Sequence, residues 1–431
     1  MTLLTFKDKY VIASTTPVTT TSNALVDDTE ASQTFILTGS KVVLAIYQAN
    51  NVQNAAMPDK GMQNAISVDA VDKANSWDTP YSTNHATRNC AFWVGTLAAG
   101  SHTVKGRFAS MRSGSIATIS NRVLLIYIFD GDEFQYIDNA TTATHNTTTF
   151  KDDPNAQVTF TPSAPCKALI MYNCANSGVP DESGYGKKVA INVAGTDYGQ
   201  AEKSADSTYT DSVFTVHALS LSAVSTTVKG RFANAGHESP VVINRRQLVV
   251  LLLADSTLMD VITSTTQVST SSIALVDDGQ ATISRVTSES RELLVVAMGT
   301  KRNGTVSSIY GERYGIKINA NDRANSRGSP STYGYEYADS AATVYAEQLA
   351  AGSHIVQGRF SSNLEWETAK IDARQVVALW FSVAEVHTLR IESVPISVAV
   401  IVSNQPIGST PVEATVEEGV HTVEVPAKVE A

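Results

Sequence analysis

The sequence predicts an all-β protein: three tandem β-sandwich domains followed by a smaller β domain. Three observations predict it. The decamer AGSHTVKGRF at Ala99 to Phe108 returns as AVSTTVKGRF at Ala223 to Phe232 and as AGSHIVQGRF at Ala351 to Phe360. Phe108 and Phe232 are 124 positions apart and Phe232 and Phe360 are 128 apart, too long for a solenoid unit and about right for a small domain. Apolar runs are short, rich in Val, Ile, Thr and Tyr, and separated by Asn, Asp, Gly and Ser, with no convincing helical period. Finally, other landmarks recur in register. Thr15-Thr16, Thr141-Thr142 and Thr265-Thr266 open each unit, Asp27-Asp28, Asp152-Asp153 and Asp277-Asp278 follow, and Arg122, Arg246 and Arg374 open each last apolar run. These repeats divide the chain into 1–130, 131–255 and 256–384, with 385–431 outside the pattern.

Within the first unit, strands are expected over Tyr10 to Ala13, Phe35 to Leu37, Val42 to Tyr47 and Ala65 to Val68. Four more follow over Ala91 to Val94, His102 to Phe108, Ile116 to Ile119 and Val123 to Phe129. In HTVKGRF, Thr103, Lys105 and Arg107 alternate with Val104, Gly106 and Phe108, the period of a strand with one wet and one buried face. Gly106, Gly230 and Gly358 share one position, which calls for close approach by a neighbouring ring or backbone. The last runs, VLLIYIF, LVVLLLA and VVALWFS, are apolar on both faces. A two-sheet sandwich covers only one face, so the other must meet a neighbouring unit or a loop. The junctions from Phe129 to Tyr136 and from Leu253 to Val261 are too short for flexible linkers and hold the units side by side.

Composition narrows the function classes. A 43% hydrophobic, 17% charged chain forms a core, and a net charge of −10 without any Lys/Arg cluster argues against a nucleic-acid partner. No stretch approaches the ~18 apolar residues of a membrane helix, and the N-terminus lacks the basic and apolar regions of a signal peptide. Membrane insertion and a signal peptide are therefore not expected. Cys90, Cys166 and Cys174 are too few and too uneven for a shared disulfide framework and are expected as buried free thiols.

Candidate chemistry is sparse. Only His102 and His354 share a repeat position, Thr226 standing there in the middle copy, so a histidine metal triad is not expected. The carboxylates of Asp27, Asp28, Asp152, Asp153, Asp277 and Asp278 could bind Ca²⁺ if three copies brought them to one axis. The leading reading of these pairs is instead an Asp-initiated turn in which a carboxylate accepts a backbone N–H. No phosphate loop, GxSxG, HExxH or CxxC motif occurs, and nothing singles out a carboxylate pair for glycoside hydrolysis. No catalytic residue, cofactor or resident metal is assigned. The aromatics Trp77, Tyr81, Tyr333, Tyr335 and Tyr337, from one loop region of copies one and three, would suit stacking on sugar rings.

The segments Leu97 to Phe108 with Arg122, Leu221 to Phe232 with Arg246, and Leu349 to Phe360 with Arg374 resemble the tumour-necrosis-factor and complement globular-head class of jelly rolls. Members of that class usually assemble as trimers of identical jelly rolls. Three copies on one chain then imply an intramolecular pseudo-trimer. Beyond Phe381, Ser393-Val394-Pro395, Gly408-Ser409-Thr410-Pro411 and Gly419-Val420-His421-Thr422-Val423 are similar to the PEGA-type small β domain, a non-catalytic module of surface-exposed proteins. In it, strands are expected over Ser397 to Val402 and His421 to Val425, with turn residues at Asn404, Pro406 and Gly408.

The resulting expectation is a non-enzymatic structural or attachment protein on a virion or extracellular surface, with other structural subunits as partners. Capsid decoration, a spike or a fibre would fit. The rival expectation is a carbohydrate-binding adhesin or lectin on a microbial surface, with glycans as partners.

Overall fold

Alternating β-branched and polar residues build strands throughout, and the computed structural model contains no helix among its described residues. It describes residues 2–54, 62–78, 86–110, 115–177, 186–204, 210–234, 240–303, 312–328, 338–362 and 368–383. Toward the C-terminus it describes 386–391, 399–402, 405–409, 412–417 and 423–424. The chain separates into two units, Met1–Ser382 and Val383–Ala431.

The first copy contributes β1 (Thr5–Ser14), β2 (Val18–Thr20), β3 (Val26–Leu37), β4 (Lys41–Asn54), β5 (Met62–Val68), β6 (Val71–Asp78), β7 (Ala86–Leu97), β8 (Gly100–Ser110) and β9 (Ile116–Asp130). The second gives β10 (Phe134–Asn139), β11 (Ala143–His145), β12 (Lys151–Phe160), β13 (Cys166–Ser177), β14 (Gly186–Val193), β15 (Thr196–Ser204), β16 (Thr210–Leu221), β17 (Thr226–Asn234) and β18 (Val241–Leu253). The third gives β19 (Leu258–Ser264), β20 (Val268–Thr270), β21 (Val276–Thr287), β22 (Arg291–Asn303), β23 (Glu312–Ile318), β24 (Asn321–Gly328), β25 (Ala338–Leu349), β26 (Gly352–Ser361) and β27 (Ala369–Ser382).

Each copy makes the same two antiparallel sheets. In the first they run β1-β9-β4-β7, with β2 also on β9, and β3-β8-β5-β6. The orders β10-β18-β13-β16 with β12-β17-β14-β15, and β19-β27-β22-β25 with β21-β26-β23-β24, repeat them strand for strand.

Besides the short β2, which no expected run covers, the sequence reading differs from this at three places. The strand β6 was not expected, because VDKANSWD carries no apolar alternation; it is held by its register with β5, Val68 opposite Val71. The runs Ile116 to Ile119 and Val123 to Phe129 belong to one strand, β9, which continues through the polar Ser120-Asn121-Arg122 by a bulge with Asn121 at φ +43°. The Asp pairs lie inside β3, β12 and β21 at register shifts and not in turns between strands.

Alternation along the last strands divides the core. Leu124, Ile126 and Ile128 point between the two sheets of the first copy with Val43, Ile66, Val104 and Phe108, and Val376, Ala378 and Trp380 do the same in the third. The intervening Leu125, Tyr127 and Phe129 join Leu169, Met171, Val249, Leu251, Leu294, Val296, Leu379 and Phe381 in one buried cluster drawn from all three copies. Neighbouring copies thus cover the second apolar face. Their remaining contacts are cyclic: β6 meets β16, β15 meets β25, and β24 meets β7. Near the first junction, the main chain of Leu4 bonds to Leu252 and Ala254 of the second copy, both at 2.8 Å.

The smaller unit has β28 (Val386–Ile391), β29 (Ala399–Val402), β30 (Gln405–Ser409), β31 (Val412–Glu417) and β32 (Val423–Glu424), paired as β28-β31 and β30-β29-β32. Pro406 and Gly408, expected as turn residues, sit within β30 beside a register shift opposite β29. Proline is tolerated at such irregular positions because a ladder N–H is not required there.

Candidate functional site

The recurring Thr, Asp and Arg landmarks converge on one buried node per copy. The Nε of Arg122 is 2.6 Å from Asp28 Oδ2, Arg246 is 2.8 Å from Asp153, and Arg374 is 2.6 Å from Asp278, all six side chains fully buried. Nη1 of each guanidinium donates to the carbonyl of Thr16, Thr141 or Thr266, where the first strand of each copy breaks, and Nη2 of Arg246 and Arg374 donates to the carbonyls of Ile243 and Ile371. The aligned threonine is therefore Thr141, one place earlier within its pair than Thr16 and Thr266 in theirs. Each buried carboxylate also accepts a main-chain N–H two residues on, from Glu30 at 3.1 Å and from Asn155 and Gln280 at 3.0 Å. The node fastens three irregularities at once: the break after the first strand, the bulge at the Asp pair and the bulge before the Arg. Burial raises the Asp28 and Asp278 carboxyls against the pull of Arg122 and Arg374.

The first aspartate of each pair faces outward and is met by cations. Asp27 pairs with Lys105 at 2.6 Å and Arg107 at 3.0 Å, and Asp152 with Lys229 and Arg231 at the same distances. Asp277 pairs with Lys317 at 2.8 Å and Arg359 at 3.0 Å. The hydrogen bond from Lys105 holds the Asp27 carboxyl below its usual range. The same arginines reach Asp72, Asp197 and Asp322. The six carboxylates considered for Ca²⁺ therefore lie in three different sheets, each against its own Lys or Arg. Among the described residues no group of three or more His, Cys, Asp or Glu side chains could hold a metal.

Two residues of these units change strand in the third copy. Tyr47 on β4 and Tyr172 on β13 donate to Asp28 at 2.8 Å and Asp153 at 2.9 Å, and their rings crowd Gly106 and Gly230. The register puts Ala297 at that place on β22, and Tyr314 on β23 fills the space instead, its hydroxyl 2.8 Å from where a Cβ on Gly358 would stand. Burial, and then the charge of Asp278, push the Tyr314 phenol above its ordinary value. Likewise Gln357 stands where Lys105 and Lys229 do, and the lysine comes from its cross-strand neighbour Lys317. Each physical unit is retained while its sequence position moves. Tyr314→Val is expected to cost about 2–3 kcal/mol, and Ala297→Tyr on that background to recover part of it. Chemical denaturation of the four variants of this cycle checks the exchange, and no recovery would show that the two sites are not equivalent.

His102 and His354, expected as half-exposed strand residues, tie two turns together. His102 Nδ1 is 2.8 Å from Asp69 Oδ2, and its Nε2 is 2.8 Å from the Ala98 carbonyl. With acceptors at both nitrogens, the hydrogen bond to Asp69 raises the imidazole above its usual value. His354 bonds Ala350 at 2.9 Å but faces Asn319 in place of an aspartate. His354, expected as half-exposed, is buried at 7% exposure, as is His217, which stacks on Tyr198 with centroids 4.3 Å apart; burial pushes the His217 pKa down to about 4. Between about pH 6.5 and 4 the unfolded chain binds a proton at His217 that the folded chain does not, so the contribution of His217 to stability falls as pH drops through that window. The slope should reach about 1.4 kcal/mol per pH unit, and His217→Phe should remove it in denaturant titrations compared at pH 7 and 4.5.

Buried amides bridge the seams between copies. Gln48 Nε2 donates to the Ala342 carbonyl, and its Oε1 accepts the Val344 N–H at 3.1 Å. Gln375 Oε1 accepts the N–H of Val216 at 3.3 Å, and Asn173 Nδ2 donates to the Cys90 carbonyl at 3.3 Å. By register, Val216 corresponds to Val344 and Cys90 to Ala342. Each copy thus reads one or both of two equivalent main-chain positions of the preceding one, giving association a fixed register. One seam adds an ion pair, Lys9 with Glu292, and the stacked Phe6 and Phe381 at 5.4 Å. These single polar residues carry no periodicity, so the sequence alone does not single them out.

Cys90, Cys166 and Cys174 are buried free thiols, and burial pushes Cys166 and Cys174 up to about 11 and about 12. Of the aromatics considered for sugar stacking, Trp77 lies on β6 opposite Gln63, and Tyr81, Tyr333, Tyr335 and Tyr337 lie outside the described residues.

No curated protein matches the chain. Among solved structures, PNGF-II shares 7% identity over 80% of this chain and 99% of its own, with a TM-score of 0.29. A chain described under "the triple jelly roll fold and turret assembly in an archaeal virus" shares 11% over 83% and 81%, with a TM-score of 0.18. A chain of Sulfolobus turreted icosahedral virus shares 10% over 81% and 82%, with a TM-score of 0.16. Scores this low bring no function to this chain. Residues 386–428 match the PEGA domain family.

Proposed function

We propose that the three pairs of sheets are jelly rolls closed on one chain as a pseudo-trimer, and that the protein is a non-enzymatic structural or attachment subunit. The observation that carries this reading is the single buried cluster to which all three copies contribute. An eight-stranded jelly roll has two four-stranded sheets, and the repeated strand order fits that plan. Head-to-tail contacts that close after three steps leave no open-ended surface. The body therefore presents three related outer faces around a rigid centre, which suits fixed attachment to other structural subunits. Both aspartates of each repeated pair are engaged by a Lys or an Arg, which is the condition of a scaffold more than of a reactive cleft. A virion component, as capsid decoration, spike or fibre, is the setting proposed, with the PEGA-type module as its contact with a neighbouring subunit.

Truncation after Ser382 tests this reading. Met1–Ser382 is a unit of its own, so the shortened chain should keep its melting transition and lose incorporation into particles. Unchanged incorporation would remove the module from attachment. Glycan binding on an array by a full chain that never co-purifies with particles would favour the carbohydrate-binding adhesin.

A further inference from the structure

We infer that the seam between the first and second copies binds an ordered water, held by Asn173 and Gln247. The two residues stand directly opposite each other on β13 and β18, and only 3% and 1% of their surfaces are exposed. At the other two seams Gln48 and Gln375 each reach the neighbouring main chain. Asn173 is one methylene shorter than Gln48, and its amide nitrogen meets only the Cys90 carbonyl. Its Oδ1 is left without a protein partner, as are both amide atoms of Gln247.

Buried polar atoms are nearly always hydrogen-bonded, because their desolvation is otherwise uncompensated. The chemistry of these three atoms selects the ligand. Two carbonyl oxygens accept and one NH₂ donates, and a single water can donate twice and accept once. A metal cation would face the amide N–H, and an anion would face two oxygens. Exchanging Oε1 and Nε2 of Gln247 leaves the balance similar, since both atoms are unpartnered. A water with about three protein partners is the ordinary condition of buried solvent. The equivalent of Gln247 in the first copy is Val123, so this polar pairing is peculiar to one seam.

A crystal structure of the full chain that resolves ordered solvent tests the inference. A peak within hydrogen-bond reach of Asn173 Oδ1 and the Gln247 amide is expected, with none in the corresponding place beside Gln48 or Gln375. In Gln247→Val the peak should be lost. If that variant does not fold, Asn173→Gln should take the Phe92 N–H directly and expel the water. Amides paired directly to protein groups with no peak between them would overturn the inference, as would a peak that persists in the variant.

Discussion

Replacing Asp153 by alanine is expected to lower the stability of the full chain by about 3–5 kcal/mol. The guanidinium of Arg246 would remain fully buried with its carboxylate partner gone. Tyr172 would lose the acceptor of its hydroxyl, and the main-chain N–H of Asn155 would lose its own. Asp152→Ala is the control. That neighbouring carboxylate is exposed, and its pairs with Lys229 and Arg231 should contribute no more than about 1 kcal/mol. Arg246→Met added to Asp153→Ala should recover much of the loss, because it removes the orphaned charge. Equal losses for Asp152→Ala and Asp153→Ala in equilibrium denaturation would mean that the inner node is solvated.

Phe232→Ala should cost a similar ~3–5 kcal/mol, through a different mechanism. Phe232 is buried on β17 opposite Val189 and packs edge-on against His145, with ring centroids 5.9 Å apart. Removing the ring leaves a cavity, since the sheets are anchored on both sides by their ladders and cannot collapse into it. Phe108 and Phe360 hold the equivalent places, and their alanine variants should fall in the same range. A loss below about 1 kcal/mol would mean that this strand face is wet.

Much of this was legible in the sequence because repetition exposes what each copy needs. The threonine, aspartate and arginine that recur at matched positions are the groups that meet in the buried node, and the recurrent glycine lies beside a tyrosine ring, as its smallness requires. The doubly apolar last strand pointed correctly to a second covered face. What escaped has physical reasons. Sequence periodicity cannot reveal β6, whose place is set by pairing and whose residues are mostly polar. Nor can position-by-position comparison find Tyr314 or Lys317, since the group that matters arrives from another strand. Bulges also hide from the reading: Asp27-Asp28 looks like a turn because the same short-range hydrogen bond serves a turn and a bulge.

Joining the copies in one chain changes what the seams can become. Three separate identical subunits would have to use one interface three times, and dilution would pull them apart. Here the partners stay at an effective concentration set by junctions only a few residues long, whatever the protein concentration outside. Each seam is then free to drift on its own. The Lys9–Glu292 pair at one seam and the Asn173–Gln247 pair at another make the seams distinguishable, so that the copies are not interchangeable.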